Sequence, residues 1–160
     1  MSTAADPVAS ASTAGGTGAG ALARPLVRRG VLAVLCGQFV ALALLQAWSD
    51  ALTFDESPHL AQGLSALVHR DLRVNPEHPV LPAVLAAVPA LAAGPDVPRT
   101  EAWEANRYFD YADEVVAAQV EDDRLRVVVF LSRLVPIAVA LGCGLLLYVC
   151  LLYTSPSPRD

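Results

Sequence analysis

Two short stretches concentrate the side chains able to do chemistry. The first, Phe54-Asp55-Glu56-Ser57-Pro58-His59, sets two adjacent carboxylates about one helical turn before a histidine. The second, Asp71-Leu72-Arg73-Val74-Asn75-Pro76-Glu77-His78-Pro79, packs Asp, Arg, Glu and His into a turn bounded by prolines. A carboxylate near a membrane surface accepts a proton from an attacking hydroxyl or amine. Arginine grips phosphate through a planar fork that lysine does not offer. A partly dehydrated setting strengthens both effects. Carboxylate beside histidine also suits a divalent metal, so the metal requirement is left open.

Each residue also has an ordinary reading. Asp55 and Glu56 favour the positive end of a following helix, worth a few tenths to about 1 kcal/mol. His59 fits an amphipathic face, and Asp71 and Glu77 fit a solvated turn.

The elements around these residues decide where such chemistry would sit. The chain has 160 residues, 54% of them hydrophobic, and a net charge of −5. Its mean hydropathy is +0.46. The apolar residues fall in two blocks rather than being spread as in a soluble core, which points to membrane spans. The net negative charge, without any basic patch interleaved with aromatics, leaves out nucleic acid as a partner. All basic residues are Arg, and Ile occurs once, at Ile137, which reads as codon bias in a GC-rich genome.

Residues 1–23 are mostly Ala, Gly, Ser and Thr and are expected to be a disordered tail. Arg24, Arg28 and Arg29 precede an uncharged run from Gly30 to Trp48. A first transmembrane helix with its basic flank is therefore assigned to 24–48, with the N-terminus in the cytoplasm. An export signal cleaved near Ala47-Trp48-Ser49 is the rival reading. A second transmembrane helix is assigned to 127–149, carrying Arg133 about two turns in and Pro136 as a kink.

The loop at 49–126 is then extracytoplasmic and long enough to be functional. Within it, Pro58 to Arg70 reads as an amphipathic helix with Leu60, Leu64, Leu67 and Val68 on one face. Thr53 and Glu56 have capping-box spacing. Pro79 to Ala93 is apolar but too short to span and is interrupted by Pro82 and Pro89. It is expected to lie in the interface plane or to re-enter. Trp103 to Asp123 is polar and helix-prone, with Trp103, Tyr108, Phe109 and Tyr111 as anchors.

Cys36, Cys143 and Cys150 show neither metal-ligand spacing nor a disulfide framework. Residues 150–160 change character abruptly and resemble the in-frame translation of a sequencing adapter; a genuine polar tail after a helix is the alternative. On the adapter reading, the natural chain continues past Val149.

The order of a first span, then FDESPHLAQGLSALVHRDLRVNPEHPVLPAVLAAVP, then a Trp-bearing stretch, then FLSRLVP opening a second span resembles the protein O-mannosyltransferase-like group of phospholipid-carrier-dependent membrane glycosyltransferases. The likeness runs over roughly Gly30 to Val149 and is most specific from Asp55 to Pro89. It implies an all-α membrane protein, the start of a multi-spanning GT-C fold in the plasma membrane. It also implies a polyprenyl-phosphate-linked sugar as donor and an active site at the outer face. The family's motif acid falls on Asp55 as general base, with Glu56 beside it positioning the acceptor. Glu77 and His78 fall on the second motif, near donor phosphate or a metal; His59, Arg73 and Arg133 are further binding candidates. Two departures concern the phosphate grip: Val80 replaces a motif proline, and Ala83 stands where a lysine is common.

Two other functional classes remain. A non-enzymatic two-span protein would use the loop to bind a partner. A polytopic transporter would carry charges within its spans, where only Arg133 qualifies.

Overall fold

The computed structural model describes residues 18–154, with side chains from residue 26. Six α-helices follow one another: α1 (Gly18–Ser49), α2 (Glu56–Val68), α3 (Val80–Ala90), α4 (Glu101–Glu104), α5 (Tyr108–Glu121) and α6 (Leu125–Thr154). The described residues contain no strand. The chain divides into two compact units, Met1–Gly37 and Gln38–Asp160. The second unit holds the end of α1 and all that follows, including every predicted site residue.

The segments Leu26–Ser49 and Leu125–Thr154 are long and apolar enough to cross a bilayer. At 1.5 Å per residue they extend about 36 and 45 Å, against a hydrocarbon core of about 30 Å. Helix α1 starts earlier than the sequence suggests. Residues 18–23, expected as part of a disordered tail, are helical. Their Ala-Gly-Ala-Leu-Ala run contains strong helix formers, and a helix nucleated downstream propagates cheaply into it. The rest of that expected tail lies outside the described residues. At the other end, 150–154 continue α6, and 155–160 lie outside the described residues.

Helix α2 begins at Glu56. Half of the capping box forms: the Thr53 amide donates to Glu56 Oε2 at 2.9 Å. The single apolar face expected for α2 is only part of its burial. Leu60 and Leu64 are buried, but so are Gln62, Gly63 and Ser65 on other faces, while Val68 is exposed. The cause is packing on two sides, with α3 against one flank and α5 against another. At the α2–α3 crossing Gly63 lies against α3 so closely that a Cβ there would overlap the Ala83 carbonyl. Ala83, Ala87 and Ala90 form the buried face of α3, small enough for that approach.

Pro82 does not interrupt α3. It sits in the first turn, where an amide N–H has no intrahelical acceptor. Pro89 falls in the last turn, after which the chain tightens to a 3-10 turn at Leu91–Ala93. Gly94 ends that turn with φ 61°, a left-handed conformation suited to glycine. Pro136 likewise leaves α6 continuous.

Trp103 and Tyr111, two of the expected anchors, are core residues. They pack with Leu60, Leu64, Val74 and Val115 in one cluster that joins α2, α4 and α5 to the start of α6. Trp103 Nε1 donates to Ser65 Oγ at 3.0 Å, so the indole gains apolar contact without losing its hydrogen bond.

Candidate functional site

The residues between α1 and α2 are tied down by Arg133 of α6. Its Nε donates to Glu56 Oε1 at 2.7 Å and its Nη2 to Glu56 Oε2 at 2.6 Å. Nη1 donates to the carbonyls of Ala47 (2.9 Å) and Asp50 (3.0 Å), and Nη2 also to that of Ala51 (3.0 Å). A guanidinium has five N–H donors, and these five bonds use all of them. The acceptors at Ala47 and Asp50 lie at the end of α1, where carbonyls lack intrahelical partners and attract a cation. Arg133 therefore fastens three parts of the chain together, and its donors are committed within the protein.

Glu56 is the other half of this clamp. Its hydrogen bonds to Arg133, with a further contribution from the Thr53 amide, hold its carboxyl below the usual range despite partial burial. The neighbouring carboxylate differs. Asp55 is exposed and makes no hydrogen bond or ion pair among the described residues. The sequence motif presents two equivalent acids; the fold makes one a structural counter-ion and leaves the other free.

Asp55 borders a cavity of about 640 Å³ between α2, α3 and α6. Asp55, His59 and the Glu56–Arg133 pair supply its polar side. The remaining lining is almost wholly apolar, with Leu81 and Leu85 from α3 facing Val135, Pro136 and Val139 from α6. The ion pair also borders a smaller recess of about 350 Å³ toward the end of α1.

Of the second sequence cluster, Pro79 lines this cavity and His78 adjoins it through His59. The His78 ring meets the His59 ring edge-on, with centroids 5.0 Å apart. The turn carrying His78 is held by Asn75, which is buried and adopts φ 54°. Asn75 Oδ1 lies 2.9 Å from His78 Nδ1, and the Gln62 amide donates to the carbonyls of Asn75 (2.9 Å) and His78 (3.3 Å).

Arg73 and Glu77 lie apart from the cavity lining. Arg73 pairs with Asp71 at 2.8 Å and stacks over Trp103 at 4.4 Å from the ring centroid. The Arg73 backbone and side chain lower the Asp71 carboxyl from its ordinary range. Glu77 is exposed, with no partner among the described residues. His69, whose pKa is lowered by burial, receives a hydrogen bond from Arg99, whose guanidinium also lies over the Trp103 ring at 5.2 Å. Among the described residues no group of three or more His, Cys, Asp and Glu is placed to hold a metal ion.

Of the seven predicted site residues, Asp55, Glu56, His59 and Arg133 thus border one cavity and His78 adjoins it. Gln62 and Asn75, which hold the second cluster in place, were not foreseen. Asn-Pro marks a turn, but nothing in the spacing connects it to a glutamine one element earlier. The chain matches no protein-family model, no curated protein and no solved structure.

Proposed function

We infer that this chain is part of an integral membrane glycosyltransferase that moves a sugar from a polyprenyl-phosphate donor to an acceptor. The reading places the N-terminus in the cytoplasm, the 49–126 loop outside, and the protein in the plasma membrane. The observation that carries it is Asp55, an unpartnered carboxylate at the polar edge of a large apolar cavity lined by α6, one of two helices apolar enough to span a bilayer. Such a cavity suits an amphiphile, with its chain against Leu85 and Val139 and its head group near Asp55 and His59. Asp55 then takes the proton from the acceptor nucleophile as the bond to the sugar forms and the lipid phosphate leaves. His59 and His78 are the remaining candidates for the phosphate, since Arg73 and Arg133 are engaged elsewhere. Glu56 is a positioning residue on this reading.

The test is donor turnover by the full-length protein in proteoliposomes, read as release of polyprenyl phosphate from its sugar-linked form. Asp55→Asn should lower the rate by about 10²-fold or more, the usual contribution of a general base. Normal turnover by Asp55→Asn would end the assignment.

A second reading, a non-enzymatic protein whose loop binds a partner, is favoured by one feature. Phe54 is 76% exposed and stacks on exposed Phe109 at 5.4 Å, a typical contact surface. It predicts binding that survives Asp55→Asn and falls with Phe54→Ala.

A further inference from the structure

The 49–126 segment carries 14 Asp and Glu against six Arg. Arg73, Arg107 and Arg124 each pair with one of those carboxylates. Arg99 is exposed and pairs with none of them. Its partners are neutral: Nε donates to His69 Nδ1 at 3.3 Å, and the guanidinium lies over the Trp103 ring. Accepting at Nδ1 needs a lone pair there, so this contact holds the imidazole uncharged. Burial and the Arg99 charge favour the same form. Arg99 Nη1 and Nη2 have no partner among the described residues.

The backbone on both sides fixes where Arg99 sits. Pro98 precedes it, and Thr100 follows as the N-cap of α4, with Oγ1 accepting from the Trp103 amide at 3.3 Å. His69 closes α2, its amide donating to the Ser65 carbonyl. Arg73 reaches the same indole from the turn after α2. Asp71 occupies its Nε and one N–H of Nη2, and Nη1 has no partner among the described residues. Two guanidiniums thus share one ring with one carboxylate to answer them, and one positive charge is left over. Trp103 is buried and hydrogen-bonded to Ser65, so it is a fixed platform. Stacking on it restrains both arginines before a ligand arrives, which lowers the ordering cost of binding.

We propose that Arg73 and Arg99 over Trp103 form a phosphate-binding site, separate from the cavity at Asp55. One guanidinium edge satisfies a planar carboxylate, as Asp71 already shows; a tetrahedral phosphate has further oxygens for a second edge. The acidic remainder of the segment repels anions, which makes this cationic spot the more selective. None of Arg73, Arg99, His69 and Trp103 lines either cavity described above, so the site does not depend on the transfer reaction. The phosphate is that of a phospholipid head group or one dissolved in the surrounding water; the chemistry that binds it is the same.

Trp48→Phe leaves Trp103 as the one tryptophan of the full chain. Its emission, in dodecyl maltoside micelles at constant ionic strength, is followed while inorganic phosphate replaces chloride. A saturable change is expected. Arg99→Gln and Arg73→Gln should each weaken it by about tenfold or more, the loss of one charge-assisted hydrogen bond. Arg99→Lys keeps the charge without the fork and should fall between wild type and Arg99→Gln. Arg107→Gln removes an equal charge that is paired with Asp110 and should leave the affinity unchanged. Phosphatidylglycerol is then added to the micelles. Competition with phosphate supports the site with a lipid head group as its occupant; undiminished phosphate binding supports it with a soluble one. No saturable change, or equal affinity in the Arg99→Gln protein, would overturn the proposal. Arg99 is exposed and gives up one hydrogen bond on substitution, so circular dichroism should show its variants folded.

Discussion

Replacing Arg133 or Glu56 should weaken the fold in a graded and coupled way. The Arg133 side chain is 13% exposed and the Glu56 side chain 34%, so the pair is neither a surface bridge nor a fully buried one. Breaking a buried pair by removing one partner costs about 3–5 kcal/mol. Partial exposure of Glu56, and access of water to the Asp50 and Ala51 carbonyls, reduce this to about 2–4 kcal/mol for Arg133→Leu. Arg133→Lys keeps the charge but offers three donors to five acceptors, so at least two contacts are lost, a cost of about 1–3 kcal/mol. Glu56→Gln removes the charge and turns one acceptor into a donor facing Nη2, also about 1–3 kcal/mol. Unfolding in detergent micelles, followed by Trp48 and Trp103 fluorescence, gives each value, and the Arg133→Leu/Glu56→Gln cycle gives the coupling. Because the folded Glu56 carboxyl is depressed, its contribution is fully present above the unfolded value of about 4.3 and is lost as pH falls through the folded value. The gap between wild type and Glu56→Gln should therefore stay constant from pH 7 to 5 and close below that. Additive single effects, or a Glu56→Gln protein within about 0.5 kcal/mol of wild type at pH 7, would refute the clamp.

Asp55→Asn should leave stability within about 0.5 kcal/mol of wild type, since its carboxylate has no partner to lose; the same unfolding assay separates it from its neighbour. Gly63→Ala should destabilise by about 1–3 kcal/mol, because the new methyl meets the Ala83 backbone rather than a flexible side chain. An unchanged midpoint would mean that α2 and α3 do not cross so closely. Burial pushes the Tyr111 hydroxyl up to about 12, so its favourable neutral form is present below pH 10 and its contribution is lost as pH rises from about 10 toward 12. Tyrosinate absorbance should show one late-ionising group that disappears in Tyr111→Phe.

What the sequence disclosed follows from what one-dimensional patterns encode. The long apolar runs of α1 and α6 are local, so their position was legible from composition alone. Capping-box spacing at Thr53 and Glu56 placed the start of α2 within two residues of its observed position. The doubly packed character of α2 was not legible, because Gln62 and Ser65 look like a polar face until α4 supplies Trp103 Nε1 for Ser65 and the turn at Asn75 supplies carbonyls for Gln62. A helical wheel cannot say that a polar residue is buried against partners elsewhere in the chain. The burial of Trp103 and Tyr111 was not legible for the converse reason: their surrounding helices are polar, and burial comes from only a few inward positions.

The two adjacent acids show how far such reading reaches into chemistry. Asp55 and Glu56 are alike in type, in sequence setting and in distance from the first span. Their fates are separated by about 100° of rotation at the start of a helix. Glu56, the first helical residue, lies where it meets both the Thr53 amide and Arg133, which is 77 positions away. Asp55, one step outside the helix, borders the cavity with no such partner. A side chain whose charge is already answered by a guanidinium and an amide is a poor proton acceptor, because its folded environment favours the ionised form. The Asp55 carboxylate has no hydrogen bond or ion pair to break before it meets a ligand in the cavity. For a general base at this site, the free acid is therefore the better candidate, and Asp55→Asn against Glu56→Gln, read for turnover and stability together, separates chemistry from scaffold.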